Sequence, residues 1–203
     1  MTSPTQIRDP LADEMLTSQN AALVIIDFQP VQVASIMSME RRELVANVVA
    51  VAKTAKLYGL PIVLSTVNVE SGLNQPTIHQ LTEVLPGATA LDRTSINAWE
   101  DVELVAAVKA TGRKKLIMVA LWAEVCLVFP ALDALREGFE VYPVVDAVGG
   151  TSVEAHRAGL QRIVQAGAQP ISWIQLACEL QRDWARKDTA AGFAEIVFAS
   201  IHP

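Results

Sequence analysis

The sequence predicts a three-layer α/β fold, in which a doubly wound, Rossmann-like and mainly parallel sheet of about six strands is covered by helices. Short apolar runs rich in Val and Ile alternate with longer segments of helical spacing. Strands without alternating polar residues are typical of a parallel sheet that is buried on both faces. Each parallel crossover is right-handed, so the alternation predicts helices on both sides of the sheet.

The elements follow one another in a regular order along the chain. Strands are predicted over residues 21–26, 62–64, a brief piece before Arg93, 115–121, 141–145 and 170–174. Helices are predicted over residues 41–58, 77–84, 102–110, 124–136, 151–167 and 176–186. Thr151 and Glu154 have the spacing of a capping box at the start of one of these helices.

Composition and domain boundaries indicate one globular domain. The 203 residues are 51% hydrophobic, which is enough for one sizeable core. We expect a polar N-terminal surface arm over residues 1–20, the α/β domain over 21–186, and an apolar C-terminal segment over 187–203. That last segment is expected to pack on the core or on a neighbouring subunit.

Charge and cysteine content limit which classes of partner and which cellular compartment are expected. The 16 Lys and Arg against 22 Asp and Glu give a net charge of −6, without a dense basic run, so nucleic acid is not expected as a partner. Residues 1–19 lack a secretion signal, and two cysteines suit a reducing cytoplasm. Residues 116–132 are apolar apart from Glu124, and we interpret them as a buried strand and helix rather than a membrane span.

Two candidate catalytic residues follow strands that are neighbours in the common strand order 3-2-1-4-5-6. Asp27 ends the first strand, and Cys126 follows the fourth strand within the first turn of the next helix. The ligand crevice of such folds lies beyond the carboxyl ends of the strands, where the strand order reverses. Free amides and the positive end of the helix dipole favour a thiolate at Cys126. The pair therefore predicts a nucleophile beside a proton acceptor.

Structural interpretations of these residues remain open at this stage. Cys126 is also typical of a small buried hydrophobic residue, and it has a single possible disulfide partner in Cys178. Asp27 is also typical of a cap at a strand end. Pro130 lies four residues after Cys126 and cannot donate the helical hydrogen bond to its carbonyl. This irregularity indicates either a functional position or a bent, buried helix.

Several motifs together resemble the isochorismatase-like cysteine hydrolases, in particular the YcaC-like branch. They cover nearly all of the chain beyond the N-terminal arm. They are residues 22–29 (ALVIIDFQ), 93–99 (RTSINAW), 123–126 (AEVC), 129–132 (FPAL), 138–142 (GFEVY), 146–147 (DA), 166–169 (AGAQ) and 177–184 (ACELQRDW).

This resemblance implies a catalytic trio of Asp27, Arg93 and Cys126. Many relatives have lysine at the basic position; arginine keeps the charge and can hold a carboxylate or substrate oxygen with two hydrogen bonds, but it does not shuttle protons. The resemblance also implies a cis peptide bond between Trp122 and Ala123. An oxyanion hole is then expected from the amides of Ala123 and Cys126.

Pocket, metal and cofactor expectations follow from the same resemblance. Trp122 and Gln29 are assigned to the pocket, although Trp122 can instead pack in the core. Related nicotinamidases bind a metal after the second strand, where this chain has no Asp and His cluster. Its histidines, which are expected at the surface or as caps, are His79, His156 and His202. We therefore expect no metal and no cofactor, and Cys178 is expected to pack in the interior.

The resemblance implies a cytoplasmic, homo-oligomeric hydrolase that acts on a small molecule. The expected reaction is cleavage of a carbon–nitrogen bond in a small amide or related acyl compound, through a thioester. One alternative is vinyl ether hydrolysis, as in true isochorismatases, against which the cysteine argues. The other is a ligand-binding or assembly protein that has lost catalysis.

Overall fold

The computed structural model describes residues 8–201 and contains a five-stranded parallel sheet. Its strand order is β3-β2-β1-β4-β5. The strands are β1 (Ala21–Ile26), β2 (Ile62–Val67), β3 (Leu91–Arg93), β4 (Lys115–Ala120) and β5 (Glu140–Pro143). The predicted doubly wound parallel sheet is confirmed, with β1 between β2 and β4 where the order reverses.

Helices flank the sheet and connect its strands. They are α1 (Pro30–Ala34), α2 (Arg41–Leu57), α3 (His79–Val84), α4 (Val102–Ala110), α5 (Val128–Arg136), α6 (Val153–Gln165), α7 (Trp173–Gln181) and α8 (Lys187–Ile201). A 3-10 turn covers Ala98–Glu100, and a π-helical turn covers Ala123–Leu127.

The centre of the core is the pair formed by β1 and β4. Every residue of both strands is buried, and Ile26 pairs with Ala120 at their carboxyl ends. Apolar side chains on both faces explain the continuous Val and Ile runs in the sequence. Because the two strands are in register, the residues that follow them leave the sheet side by side.

The predicted sixth strand is reduced to a single bridge. Ile171 pairs with Val144 as an isolated parallel bridge, and its amide donates to the Pro143 carbonyl at 3.0 Å. Pro170 has no amide hydrogen to extend the ladder. Ser172 already caps α7, because its side chain accepts a hydrogen bond from the Gln175 amide at 3.1 Å. The chain therefore turns into a helix before a full strand forms.

The C-terminal part differs from the predicted single helix over 176–186. Helix α7 ends at Gln181, and Arg182 adopts a left-handed conformation with φ +61° before α8 starts at Lys187. Phe193 and Val197 of α8 are buried in the core. A Cβ on Gly192 would lie 2.8 Å from Leu57 Cδ1, so glycine permits close packing of α8 on α2.

Most of the N-terminal residues 8–20 are exposed, but the segment is attached to the sheet at a few buried positions. Leu16 is fully buried, and the buried ammonium group of Lys115 donates to the carbonyls of Asp13 and Glu14. A buried lysine requires such acceptors. The part of the predicted arm that precedes Arg8 lies outside the described residues.

The apolar residues 116–132 do not form one helix. They are divided between β4, the π-helical turn and α5. Within residues 8–201, no helix is long and apolar enough to cross a membrane.

The cap of α6 is Ser152 rather than the predicted Thr151. The Ser152 side chain accepts a hydrogen bond from the Ala155 amide at 3.0 Å. Thr151 instead donates its amide and hydroxyl to Glu124, at 2.9 and 2.6 Å. The capping box prediction was therefore wrong, because Thr151 binds the π-helical turn.

This difference can be tested by urea unfolding. We expect Ser152→Ala to lower the free energy of unfolding by about 1 kcal/mol, because it removes the cap. Glu154→Ala should cost less, about 0.3 kcal/mol, through the helix dipole alone. A larger loss in Glu154→Ala than in Ser152→Ala would instead support the capping box of Thr151 and Glu154.

Candidate active site

The three predicted catalytic residues meet at the carboxyl edge of the sheet. Asp27 follows β1, Arg93 is the last residue of β3, and Cys126 lies in the π-helical turn after β4. Arg93 Nη1 and Nη2 donate to Asp27 Oδ1 and Oδ2, both at 2.7 Å. This two-pronged ion pair spans the end of β2 and links the ends of β1 and β3.

Protein acceptors engage the guanidinium group of Arg93. Its Nη1 also donates to Ser65 Oγ at 3.1 Å and to the Thr66 carbonyl at 2.9 Å. The Arg93 side chain is 1% exposed. Burial opposes its charge, but the hydrogen bonds and charge of Asp27 raise the Arg93 pKa. The sequence predicts that Arg93 holds either a carboxylate or a substrate oxygen. In the structure it holds the Asp27 carboxylate.

Asp27 is fixed by its backbone as well as by Arg93. It is fully buried and left-handed, with φ +60°, which is uncommon for a residue with a Cβ. Its amide donates to the Ser65 carbonyl at 3.0 Å, and the Gln29 amide donates to the Asp27 carbonyl at 2.8 Å. Such a conformation persists only where the surroundings impose it, and it is typical of functional sites.

Cys126 lies beside Asp27. The residue is 8% exposed, and the Asp27 carboxylate acts on its thiol both through its charge and through hydrogen bonding. Burial, then the negative charge of Asp27 and this hydrogen bond, raise the thiol pKa to about 12. Burial and the neighbouring carboxylate therefore favour the protonated thiol over the thiolate expected from the sequence. The thiol is protonated at neutral pH, and Asp27 is placed to accept its proton.

The turn that contains Cys126 is π-helical, not the start of an α-helix as predicted. The Leu127 amide donates to the Trp122 carbonyl at 3.3 Å, five residues back. Helix α5 starts at Val128, so Pro130 lies in its first turn. Amides of a first turn have no partner within their own helix, so proline is tolerated there.

The cis peptide bond lies between Leu121 and Trp122, one residue before the expected bond. The Ala123 amide donates to the Gly149 carbonyl at 2.7 Å. It is therefore not free to bind an oxyanion, and this prediction was wrong. The Trp122 amide instead donates a hydrogen bond to the Cys126 sulfur. No local motif predicts the bond between Ala123 and Gly149, because Gly149 belongs to a distant loop.

Trp122 and Gln29 have structural contacts. The half-buried Trp122 donates its indole Nε1 to Ser35 Oγ at 2.6 Å. Gln29 is fully buried, its Oε1 accepts from the Val67 amide at 3.0 Å, and its Nε2 donates to the Gln75 carbonyl at 2.6 Å. Gln29 therefore fixes the loop after β2 and does not face a pocket.

Among the described residues, Cys178, His79 and His156 do not join this site. Both cysteines are free, and Cys178 is exposed rather than packed in the interior. His79 is exposed and lies 3.6 Å from Glu83, whereas His156 is half-buried and His202 lies outside the described residues. Among the described residues, no three His, Cys, Asp or Glu side chains are grouped to hold a metal ion.

The Asp27 and Arg93 pair can be tested by urea unfolding. We expect Arg93→Met to lower the free energy of unfolding by about 3–5 kcal/mol, because it leaves a buried carboxylate unpaired. Arg93→Lys should cost less because it keeps the charge. Adding Asp27→Asn to Arg93→Met should recover part of the loss. A loss below about 1 kcal/mol in Arg93→Met would contradict the pair's importance.

Comparisons with known proteins identify the family of this chain. The isochorismatase domain family matches residues 21–175. The probable hydrolase YcaC of Escherichia coli strain K12 is 39% identical over 170 residues, which cover 83% of this chain and 81% of that protein.

Solved structures of YcaC proteins are also similar. YcaC from Pseudomonas aeruginosa with hexane-2,5-diol and covalent acrylamide has a TM-score of 0.85 at 37% identity, covering 91% of this chain and 90% of that one. YcaC of Escherichia coli, an octameric hydrolase of unknown specificity, has a TM-score of 0.87 at 38% identity, covering 94% and 92%. The chain therefore belongs to the isochorismatase family of hydrolases, in its YcaC-like branch.

Proposed function

We propose that this protein is a cysteine hydrolase that cleaves the carbon–nitrogen bond of a small amide or related acyl compound. Cys126 is the nucleophile and Asp27 is the general base. The observation that carries the proposal is that the ends of the paired strands β1 and β4 place the Cys126 thiol beside the Asp27 carboxylate, which Arg93 orients with two hydrogen bonds. A nucleophile beside an oriented base is the arrangement that covalent catalysis requires.

The first step is attack by a neutral thiol. Because the thiol pKa is raised to about 12, the proton passes from Sγ to Asp27 as the sulfur–carbon bond forms. Arg93 holds both carboxylate oxygens and so fixes the direction of this transfer. The carbonyl oxygen becomes an oxyanion. We assign its stabilisation to the amide of Cys126, because the Ala123 amide is bound to Gly149 and the Trp122 amide donates to the sulfur.

The second half of the reaction returns the proton. Protonated Asp27 donates to the leaving nitrogen, the carbon–nitrogen bond breaks, and the acyl group remains on Cys126 as a thioester. Asp27 then takes a proton from a water molecule that attacks the thioester. The tetrahedral intermediate that forms then collapses. The carbon–sulfur bond breaks, a carboxylic acid is released, and the Cys126 sulfur takes the proton back from Asp27.

A relative is known in a covalently modified form. The Pseudomonas aeruginosa YcaC structure contains covalent acrylamide, which is both a small amide and an electrophile. At 37% identity over 91% of this chain, we extend this chemistry to Cys126 as a proposal.

A second candidate function is a binding or assembly protein without catalysis. The raised pKa of the buried Cys126 thiol favours it, because a protonated thiol is a poor nucleophile unless a base assists. The neighbouring Asp27 supplies that base, so we prefer the hydrolase. Vinyl ether hydrolysis is less consistent with the site, because it leaves Cys126 without a role.

We further propose a cytoplasmic homo-oligomer that acts on a small molecule. Three exposed apolar side chains follow β1, β2 and β3 at the edge of the sheet that contains the site: Met37 (71% exposed), Leu73 (80%) and Ile96 (67%). Exposed apolar residues at one edge are typical of protein interfaces. The similar Escherichia coli protein is an octamer.

The hydrolase proposal is tested by screening small amides and carbamoyl compounds for turnover. Cys126→Ser and Asp27→Asn should each lower kcat by about 100-fold or more, because they remove the nucleophile or the base. Cys178→Ser, which changes the exposed second thiol, is the matched control and should be unaffected. Circular dichroism confirms that each variant is folded. Turnover by Cys126→Ser or Asp27→Asn close to the wild-type rate would exclude the mechanism.

A further inference from the structure

The loop after β5 binds the π-helical turn that contains Cys126. We call residues 149–151 the Gly149–Thr151 strap. Gly149 accepts the Ala123 amide at 2.7 Å and forms a parallel bridge with Leu121. Thr151 donates its amide and its hydroxyl to Glu124 Oε1, at 2.9 and 2.6 Å. The strap therefore binds the turn at positions that flank Trp122 and precede Cys126.

The fit around Glu124 is close on two sides. A Cβ on Gly150 would lie 2.6 Å from Glu124 Oε2 and 2.8 Å from His156 Cβ. A Cβ on Gly159 of α6 would lie 2.9 Å from Glu124 Cα. Real Cβ atoms do not approach so closely, so only glycine allows the strap and α6 to close on this residue. The π-helical turn is therefore packed closely against the strap on one side and against α6 on the other.

Glu124 does not form a stabilising ion pair with the neighbouring His156. Its Oε2 and the Nδ1 of His156 are both buried without a hydrogen-bond partner in the part of the chain that the structure describes. Burial lowers the pKa of His156, although the charge of Glu124 opposes this shift, so the imidazole is neutral at neutral pH. An unsatisfied buried carboxylate oxygen costs stability. Local cost of this kind is expected at functional positions.

We propose that Glu124 is a positioning residue, which holds the π-helical turn so that Cys126 and the Trp122 amide stay aligned with Asp27. Glu124 lies two residues from both of these groups, and its two hydrogen bonds to Thr151 fix it to the strap. The inference rests on the proposed hydrolase function, because alignment on Asp27 matters only if the thiol reacts.

The test measures the reactivity of Cys126 and catalysis separately. All variants are made in a Cys178→Ser background, so that Cys126 is the remaining thiol. The first measurement is the rate of alkylation by acrylamide at fixed pH. The second is kcat and KM on any amide found by screening. The variants are Glu124→Ala, Glu124→Gln and Thr151→Val, and Glu154→Ala is the control for an exposed carboxylate of α6.

Glu124→Ala should slow alkylation and lower kcat by about tenfold or more with KM little changed, because small displacements of reacting groups are costly. Glu124→Gln should stay within about threefold of wild type, because its amide oxygen still accepts from Thr151. Thr151→Val should lie between the two, since the backbone amide remains. Glu154→Ala should match wild type. All rates are compared below the unfolding temperature of each variant.

Two outcomes would overturn the inference. Glu124→Ala with wild-type alkylation and kcat would show a purely structural role, even if its melting temperature fell. Loss in Glu124→Gln equal to that in Glu124→Ala would show that the hydrogen bonds to Thr151 are not the cause. If Glu124→Ala does not fold, unchanged alkylation in Thr151→Val overturns the inference.

Failure of the hydrolase proposal gives a different result. In that case wild type and Cys126→Ala show the same lack of turnover on every amide. The alkylation rates still report whether Glu124 positions the thiol. The two proposals can therefore fail independently.

Discussion

The buried ion pair between Asp27 and Arg93 is the interaction on which the site depends. A carboxylate without solvent is stable only if a positive partner and hydrogen bonds compensate for lost hydration. Arg93 supplies both with two hydrogen bonds of 2.7 Å, and it is itself held by Ser65 and Thr66 at the end of β2. The parallel sheet makes this possible, because the carboxyl ends of β1, β2 and β3 meet at one edge.

The same pair decides how the thiol is used. Burial, together with the negative charge of Asp27, raises the pKa of Cys126 and so favours a protonated thiol over a preformed thiolate. Nucleophilic attack by Cys126 then requires Asp27 to lie close enough to take the thiol proton. The position of the π-helical turn is therefore as important for reactivity as the charge of Asp27. The strap, the close approach of α6 at Gly159 and the hydrogen bonds of Glu124 all act on that geometry.

The fold and the sites of the main side chains were predictable because they depend on strand order and on residues that follow strands. The finer contacts were not. The Ala123 amide is bound by Gly149, which lies far along the chain, and no local pattern indicates that pairing. Gln29 follows Asp27 closely, yet its side chain turns to the loop after β2. Cys178 lies on an apolar helix but on its exposed side. Such details depend on loop geometry, which the period of hydrophobic residues does not encode.

The pH dependence of Cys126 alkylation, compared between a Cys178→Ser protein and the same protein with Asp27→Asn, tests the coupling of thiol and carboxylate most directly. The account predicts that the rate in the first protein still rises with pH at about pH 10, because its thiol pKa is raised. Asp27→Asn removes the negative charge and should shift the titration to lower pH. Identical pH profiles in the two proteins would contradict the coupling of Cys126 and Asp27 at the centre of the site.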